Sequence, residues 1–234
     1  SRGLGDVYKR QGYMSVPYAE FLQADFLAHQ AGKIKMDLAS HGVPAIPTDH
    51  GTVYLSTADK DGMMVSFIQS NYLGFGSGVV IPNTGISMQN RGFGFAIEKG
   101  HPNCVGGGKR PYHTIIPGFV TYEDRPLMSF GVMGGHMQPQ GHVQMMVRIF
   151  DYGQNPQTAC DAPRWLVNQD SSVSLESGFS SDVIQELENR GHKVLPRSFP
   201  SLSGDFGGAQ LVFCLDGGYC AASDPRKDGL AVGF

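Results

Sequence analysis

The chain has 234 residues, 41% of them hydrophobic and 17% charged, enough apolar material for a sizeable core, which excludes a disordered tail. With 18 Lys+Arg against 21 Asp+Glu and a net charge of -3, no basic excess faces a phosphate backbone, and a nucleic-acid partner is excluded from the reading. Glycine is the unusual count, 32 residues with 14 prolines and no G-x-y period, which excludes collagen and predicts a turn-dense chain.

Residues 1–11, SRGLGDVYKRQ, carry no period and read as a non-native leader, set apart from the fold. A helix is predicted from Ser15 to His41-Gly42. Ser15 is its cap, Pro17 lies in its first turn, and Phe21, Ala24, Ala28, Ala31, Ile34 and Leu38 form its apolar stripe. Val43–Pro47 then reads as an extended connector. Thr52–Ala58 and Met63–Ser70, joined by Asp59-Lys60-Asp61-Gly62, predict a β-hairpin. Short strand signals follow at Val79-Val80 and Ile86-Ser87, then a loop over 98–112, then strands at Thr114–Tyr122 and Pro126–Met133. Helices are predicted at Gln138–Tyr152 (striped by Val143, Met146, Val147 and Ile149 or Phe150), from Asn155-Pro156 through Ala162, and at Ser181–Arg190. Ala209–Leu215 and Gly218–Ala222 close the chain as strands. This order suits a layered α+β architecture with antiparallel sheet. No apolar run approaches the ~20 residues of a membrane span.

Cys104, Cys160, Cys214 and Cys220 show neither C-x-x-C nor zinc spacing. Cys214 and Cys220 flank a turn, so a cross-strand bridge is one reading; two buried free thiols is the favoured one. Lys109 follows three glycines, but Arg110-Pro111 stands where a phosphate loop needs Ser or Thr. The histidines never reach metal-helix spacing; His136 and His142 are six apart, and no metal or other cofactor is expected. Gly134-Gly135, where a strand ends and a helix begins, can turn two N–H groups toward one point; taken alone, a tight turn is the simpler reading. Thr52 follows Gly51, a residue free enough for the strained geometry of self-cleavage, which would leave a threonine amine to serve its own hydroxyl as base.

From Gly51 onward the chain resembles the small catalytic subunit of the gamma-glutamyltransferase family, within the N-terminal-nucleophile hydrolases. The matching stretches include Gly51-Thr52-Val53-Tyr54, Ala58-Asp59-Lys60-Asp61-Gly62, Phe75-Gly76-Ser77-Gly78, Gln89-Asn90, Gly108-Lys109-Arg110-Pro111, Gly134-Gly135, Asp151-Tyr152-Gly153, Asp161-Ala162-Pro163-Arg164 and Ser223-Asp224-Pro225-Arg226. The resemblance implies an α+β fold, a four-layer αββα sandwich, incomplete in this chain. Residues 12–51 would be the end of the large subunit and 52–234 the small one. It implies self-cleavage between Gly51 and Thr52, with Thr48 as a rival start four residues out of register. Thr52 would be the nucleophile that carries the acyl group, Ser70 its hydroxyl partner, and Gly134 and Gly135 the oxyanion pair, which reverses their simpler reading.

The recognition positions depart from the family pattern. Tyr72 replaces an Asn, Arg91 and Gly94 replace a Gln and an Asp that hold the substrate ammonium, and His113 and Thr114 replace two serines that bind its carboxylate. Asn90 completes the expected substrate-binding set. Arg91 would repel an ammonium and offers a bidentate partner to a carboxylate. The segment 96–108 is shorter than the family's lid, which points to water rather than an amine as acceptor. The expected activity is hydrolysis of amide bonds in γ-glutamyl, glutathione-like compounds; a cephalosporin acylase-like preference for a non-amino dicarboxylic acyl group, or a non-maturing scaffold protein, are the alternatives. The implied partners are a small-molecule substrate, the protein's own large-subunit portion and a second copy of itself.

Overall fold

The computed structural model describes residues 18–39, 52–197 and 205–234. The 1–11 leader, Ser15, Pro17, the 43–47 connector, Thr48 and Gly51 lie outside the described residues. In chain order come a 3-10 turn at Tyr18–Leu22, helix α1 (Ala24–Ala31), and strands β1 (Thr52–Ala58) and β2 (Met64–Ser70). A 3-10 turn at Arg91–Gly94 precedes β3 (Gly118–Tyr122), β4 (Arg125–Met133), α2 (Met137–Met146) and α3 (Pro156–Asp161). Then follow β5 (Trp165–Val167), β6 (Val173–Glu176), α4 (Ser181–Asn189), β7 (Val194–Arg197), β8 (Gly208–Leu215) and β9 (Gly218–Ser223).

β1 and β2 pair antiparallel from Thr52↔Ser70 to Ala58↔Met64, as their alternation predicts. Asp59 Oδ1 accepts the N–H groups of Asp61 and Met63 and shapes the turn. β3-β4-β8-β9 form an antiparallel four-stranded sheet, with Glu123 and Asp124 both at positive φ in the β3–β4 hairpin turn. The two faces of β4 divide the molecule into layers. Met128, Phe130 and Val132 face the α2 and α3 side and share a core with Met145, Ile149, Ala159 and Leu211. Ser129 and Gly131 face the β1–β2 hairpin, where Tyr54 lies on Gly131. The hairpin's outward face carries Val53, Leu55, Val65 and Phe67, exposed among the described residues.

Three expectations need correction. Over 18–39, the described part of the helix predicted from Ser15 to His41-Gly42, there is a 3-10 turn followed by α1, which ends at Ala31; Ile34 and Leu38 beyond it are exposed, so the apolar stripe does not continue as helix there. The helix predicted over 138–152 is α2 continued by a π-turn at Val147–Asp151, and Met145 and Ile149 form its inner face while Val143 and Phe150 are exposed. Gly141 sets that choice, since a Cβ there would stand 2.6 Å from Val132 Cγ1. The Val79-Val80 and Ile86-Ser87 signals form only an isolated bridge, Val80↔Ser87. A sheet of β5-β6-β7 is absent from the sequence reading; Gln140 and Gln144 on α2 dock β5 by bonding the backbone of Val167 and Trp165. Cys214 and Cys220 are free and half-buried, and their register, Cys214↔Tyr219 against Phe213↔Cys220, puts them on opposite faces.

Two outcomes follow. Gly131→Ala would force a methyl into the Tyr54 ring and should destabilise the full-length protein by about 1–3 kcal/mol, less in a Tyr54→Leu background; equal Tm losses in both would refute the contact. His142 Nε2 accepts the Val132 N–H at 3.1 Å against the Phe130 ring, and burial lowers its pKa from 6.5 to about 4. The unfolded chain takes up that proton first, so this stability is present above pH 6.5 and is lost as pH falls toward 4, by about 1.4 kcal/mol per unit at most. His142→Gln keeps an acceptor that does not titrate there, and denaturant midpoints should then fall less over that window.

Candidate active site

β1 lies on β4 with a progression that can be followed residue by residue. Ser56 Oγ donates to the Ser129 carbonyl at 2.9 Å and meets Ser129 Oγ at 2.6 Å. Two residues earlier on β1 and two later on β4, the Tyr54 ring covers Gly131. The Tyr54 hydroxyl is tied to Ser56 (3.0 Å) and Ser66 (2.7 Å), and burial raises its pKa to about 12. Continued by one more two-residue step, the alternation runs from Thr52 toward the Met133 end of β4, the strand that leads into Gly134-Gly135.

Thr52 Oγ1 donates to Ser70 Oγ at 2.9 Å, and the same Ser70 oxygen accepts the Tyr72 N–H at 2.9 Å. That second bond requires an unusual backbone: Tyr72 is buried with φ +77, in a region that costs a bulky residue about 1–3 kcal/mol. Its neighbours hold it there. Leu73 N–H donates to Asn90 Oδ1 at 3.0 Å and Asn90 N–H to the Asn71 carbonyl at 3.1 Å, so the Asn90 side chain is engaged in fastening the loop. The Arg91 guanidinium lies 5.2 Å from the centre of the Tyr72 ring.

Arg91 is only 8% exposed, its Nε has no hydrogen-bond partner, and no carboxylate among the described residues pairs with it. Burial lowers its pKa, and the Tyr72 side chain acts the other way. An uncompensated buried cation costs several kcal/mol, which an incoming anion would offset.

At Gly134 (φ +121) and Gly135 (φ +56) the carbonyls accept the N–H groups of Met137 and Gln138, at 3.0 and 3.1 Å. No acceptor among the described residues takes the glycines' own N–H groups. His113 and Thr114 stand on a separate extended strip. Gly94 meets its Tyr112 carbonyl closely, and Gln138 Oε1 accepts the Ile116 N–H at 3.2 Å. His113 Nδ1 accepts the Ile115 N–H, which leaves the ring proton on Nε2. Thr114 Oγ1 and Gln138 Nε2 are buried without a hydrogen-bond partner.

Thr52, Ser70, Tyr72, Asn90 and Arg91 therefore form one continuous run of contacts, while Gly134-Gly135 follows β4, the strand against which β1 packs. His113 and Thr114 join it only through their strip. Gly51 lies outside the described residues. Sequence reasoning passed over Gln138, whose polarity inside a helix start was a usable signal. It also left roles unassigned for Arg164, Glu176, Asp224 and Arg226. These four form a buried ionic cluster: Arg164–Asp224 2.5 Å, Arg226–Glu176 2.5 Å and Arg226–Asp224 3.0 Å, each side chain at most 1% exposed.

The profile of the gamma-glutamyltranspeptidase family matches residues 4–234. The chain is 36% identical over 194 residues to the glutathione hydrolase-like YwrD proenzyme of Bacillus subtilis, covering 80% of this chain and 37% of that protein. It is 37% identical over 189 residues to the oxamate amidohydrolase proenzyme of Klebsiella pneumoniae, covering 78% and 35%. It thus spans little more than a third of these relatives' length. Among solved structures, cephalosporin acylase from Bacillus halodurans superimposes with a TM-score of 0.84 at 46% identity, over 94% of this chain and 40% of that one. The gamma-glutamyltranspeptidase of Pseudomonas nitroreducens gives 0.67 at 22% identity over 77% and 98%, a likeness of fold. The stacked sheets with helices on one side are part of the αββα sandwich of N-terminal-nucleophile hydrolases. Fold, ordered motifs and profile agree, and the chain belongs to the gamma-glutamyltranspeptidase family.

Proposed function

We propose that the full-length protein hydrolyses amide bonds through an acyl intermediate on Thr52, formed after self-cleavage between Gly51 and Thr52. Residues 12–51 are then the end of a large subunit and 52–234 the small catalytic one. What supports this reading is the Thr52–Ser70 hydroxyl pair, 2.9 Å apart, on the hairpin that packs against β4, together with the two glycines that follow β4, whose N–H groups have no acceptor among the described residues. The Thr52 hydroxyl attacks the amide carbonyl and gives its proton to the freed Thr52 amine, while the carbonyl oxygen takes the negative charge facing Gly134 and Gly135. Collapse expels the leaving amine, which receives that proton, and water then splits the acyl ester. Ser70 orients the nucleophile, and Tyr72 holds Ser70 through its N–H. The short 96–108 segment supports water as the acceptor over an amine.

The acyl group is read as carboxylate-bearing, on the buried charge of Arg91. γ-Glutamyl compounds of the glutathione type have such a carboxylate and are the substrates named for several relatives. A second reading has its own support: Arg91 repels an α-ammonium, and relatives include an oxamate amidohydrolase and a cephalosporin acylase. On that reading the preferred acyl group is dicarboxylic without an amine.

Intact mass of the purified full-length protein should show two fragments, the smaller starting at Thr52, and Thr52→Ala should stay whole and inactive. A whole wild-type chain indistinguishable from Thr52→Ala would favour a scaffold role and defeat the proposal. Between chromogenic anilides, glutaryl should be turned over faster than γ-glutamyl. Arg91→Met should raise KM for the glutaryl compound by about tenfold or more, the loss of a charge-assisted bond. A strong preference for the α-amino substrate would return the reading to γ-glutamyl compounds.

A further inference from the structure

The buried ionic cluster has no part in the chemistry above, yet its contacts lead to the glycine turn. Asp224 Oδ2 accepts from Arg164 Nη2 at 2.5 Å and from the Ala209 N–H at 2.7 Å. Arg164 Nη1 donates to the Phe206 carbonyl at 3.0 Å. One ion pair therefore pins both ends of the corner Phe206-Gly207-Gly208-Ala209. The other carboxylate oxygen, Asp224 Oδ1, accepts the Arg226 N–H at 2.9 Å and its Nη1 at 3.0 Å, and Arg226 is in turn held by Glu176. With four donors on its two oxygens, the carboxylate has one orientation. Burial works to raise the Asp224 pKa, and the two arginines with the backbone N–H groups outweigh it, so the group stays ionised.

The corner grips the Gly134-Gly135 turn on both flanks. On the strand side, Gly207 (φ +69) touches backbone directly. A Cβ on Gly134 would stand 2.8 Å from Gly207 Cα, and one on Gly207 would overlap the Met133 carbonyl oxygen. On the helix side, the Phe206 ring, 1% exposed, packs with Met137, the first residue of α2. Backbone against backbone leaves no flexible side chain to absorb a shift, so movement of the corner moves the turn.

We infer that Arg164 and Asp224 are positioning residues that set the direction of the Gly134 and Gly135 N–H groups through the Phe206–Ala209 corner. This rests on the reading of those N–H groups as the oxyanion site. Misplacement of a reacting geometry by about 1 Å can lower a rate by about a hundredfold, whereas ground-state binding at Arg91, on another segment, is untouched.

The test uses full-length Asp224→Asn, which keeps the shape and loses the charge, assayed well below its Tm. Expected are a kcat lowered by about 10- to 100-fold with KM within about twofold, and weaker inhibition by an alkylboronate, which forms a tetrahedral adduct on Thr52, by a similar factor. Ile149→Val, a core change away from the corner, is the control: it should lower Tm with kcat retained. Should Asp224→Asn fail to accumulate as folded protein, Phe206→Leu loosens the helix-side grip without burying a lone charge and should give the same split. A variant with wild-type kcat, or one losing no more than the Ile149→Val control, overturns the inference. Loss of kcat with unchanged boronate inhibition overturns it too, since the turn then keeps its aim. Thr52→Ala runs alongside: turnover by that variant sinks the acyl-threonine reading, while an inert Thr52→Ala beside a fully active Asp224→Asn sinks only the positioning role.

Discussion

The seating of the β1–β2 hairpin on β4 is the constraint on which the rest of the site depends. Gly131 leaves a slot the size of a ring, and Tyr54 fills it with its hydroxyl tied to Ser56 and Ser66. Ser56 is itself locked to Ser129. Hydroxyl contacts between stacked sheets are directional in a way that apolar packing is not, so they fix the offset of one strand over the other. A slip by one residue would turn Thr52 to the hairpin's other face. The face that Thr52 presents is thus decided by residues two and four positions further along its strand.

Around that register the site departs from what stability alone would choose. Tyr72 takes a left-handed backbone, and among the described residues Arg91 lies buried without a counter-charge and Thr114 and Gln138 have buried polar atoms without partners. Such violations concentrate where function requires them and are held in place by ordinary structure nearby. Asn90 does this for the Tyr72 loop. The ionic cluster is the opposite case. Its carboxylates are satisfied several times over, and an apolar replacement of the whole set could be as stable. What an apolar set would lack is orientation, because a carboxylate with four donors fixes the backbone groups it accepts from.

The outer face of the hairpin gives the sandwich its third requirement. Val53, Leu55, Val65 and Phe67 are exposed among the described residues, an apolar sheet face of the kind that folded proteins cover. The chain spans little more than a third of its relatives, and a sandwich of four layers has helices on both sides of its paired sheets. The helices α2 and α3 serve one side. On the proposed division of the chain, the large-subunit portion serves the other.

Local pattern sufficed for the hairpin, for β4, β8 and β9, and for α3 and α4, since alternation, caps and glycine stops act within a few residues of each other. It misjudged the continuation of helix beyond Gly32 and the inner face of α2, where contact with Val132 decides, and it missed β5 to β7, whose backbone is partly docked by glutamine side chains. The amino-acid sequence by itself determined the family, the Gly51-Thr52 candidate and the change of charge at Arg91, because these are matters of residue identity and order. Only the tertiary structure decided that Thr52 pairs with Ser70, that Arg91 is buried without a counter-charge among the described residues, and that Arg164 and Asp224 hold the corner that packs against the Gly134-Gly135 turn. Those facts depend on residues far apart in the chain, and only strand pairing, the stacking of sheets and the closing of loops bring them together.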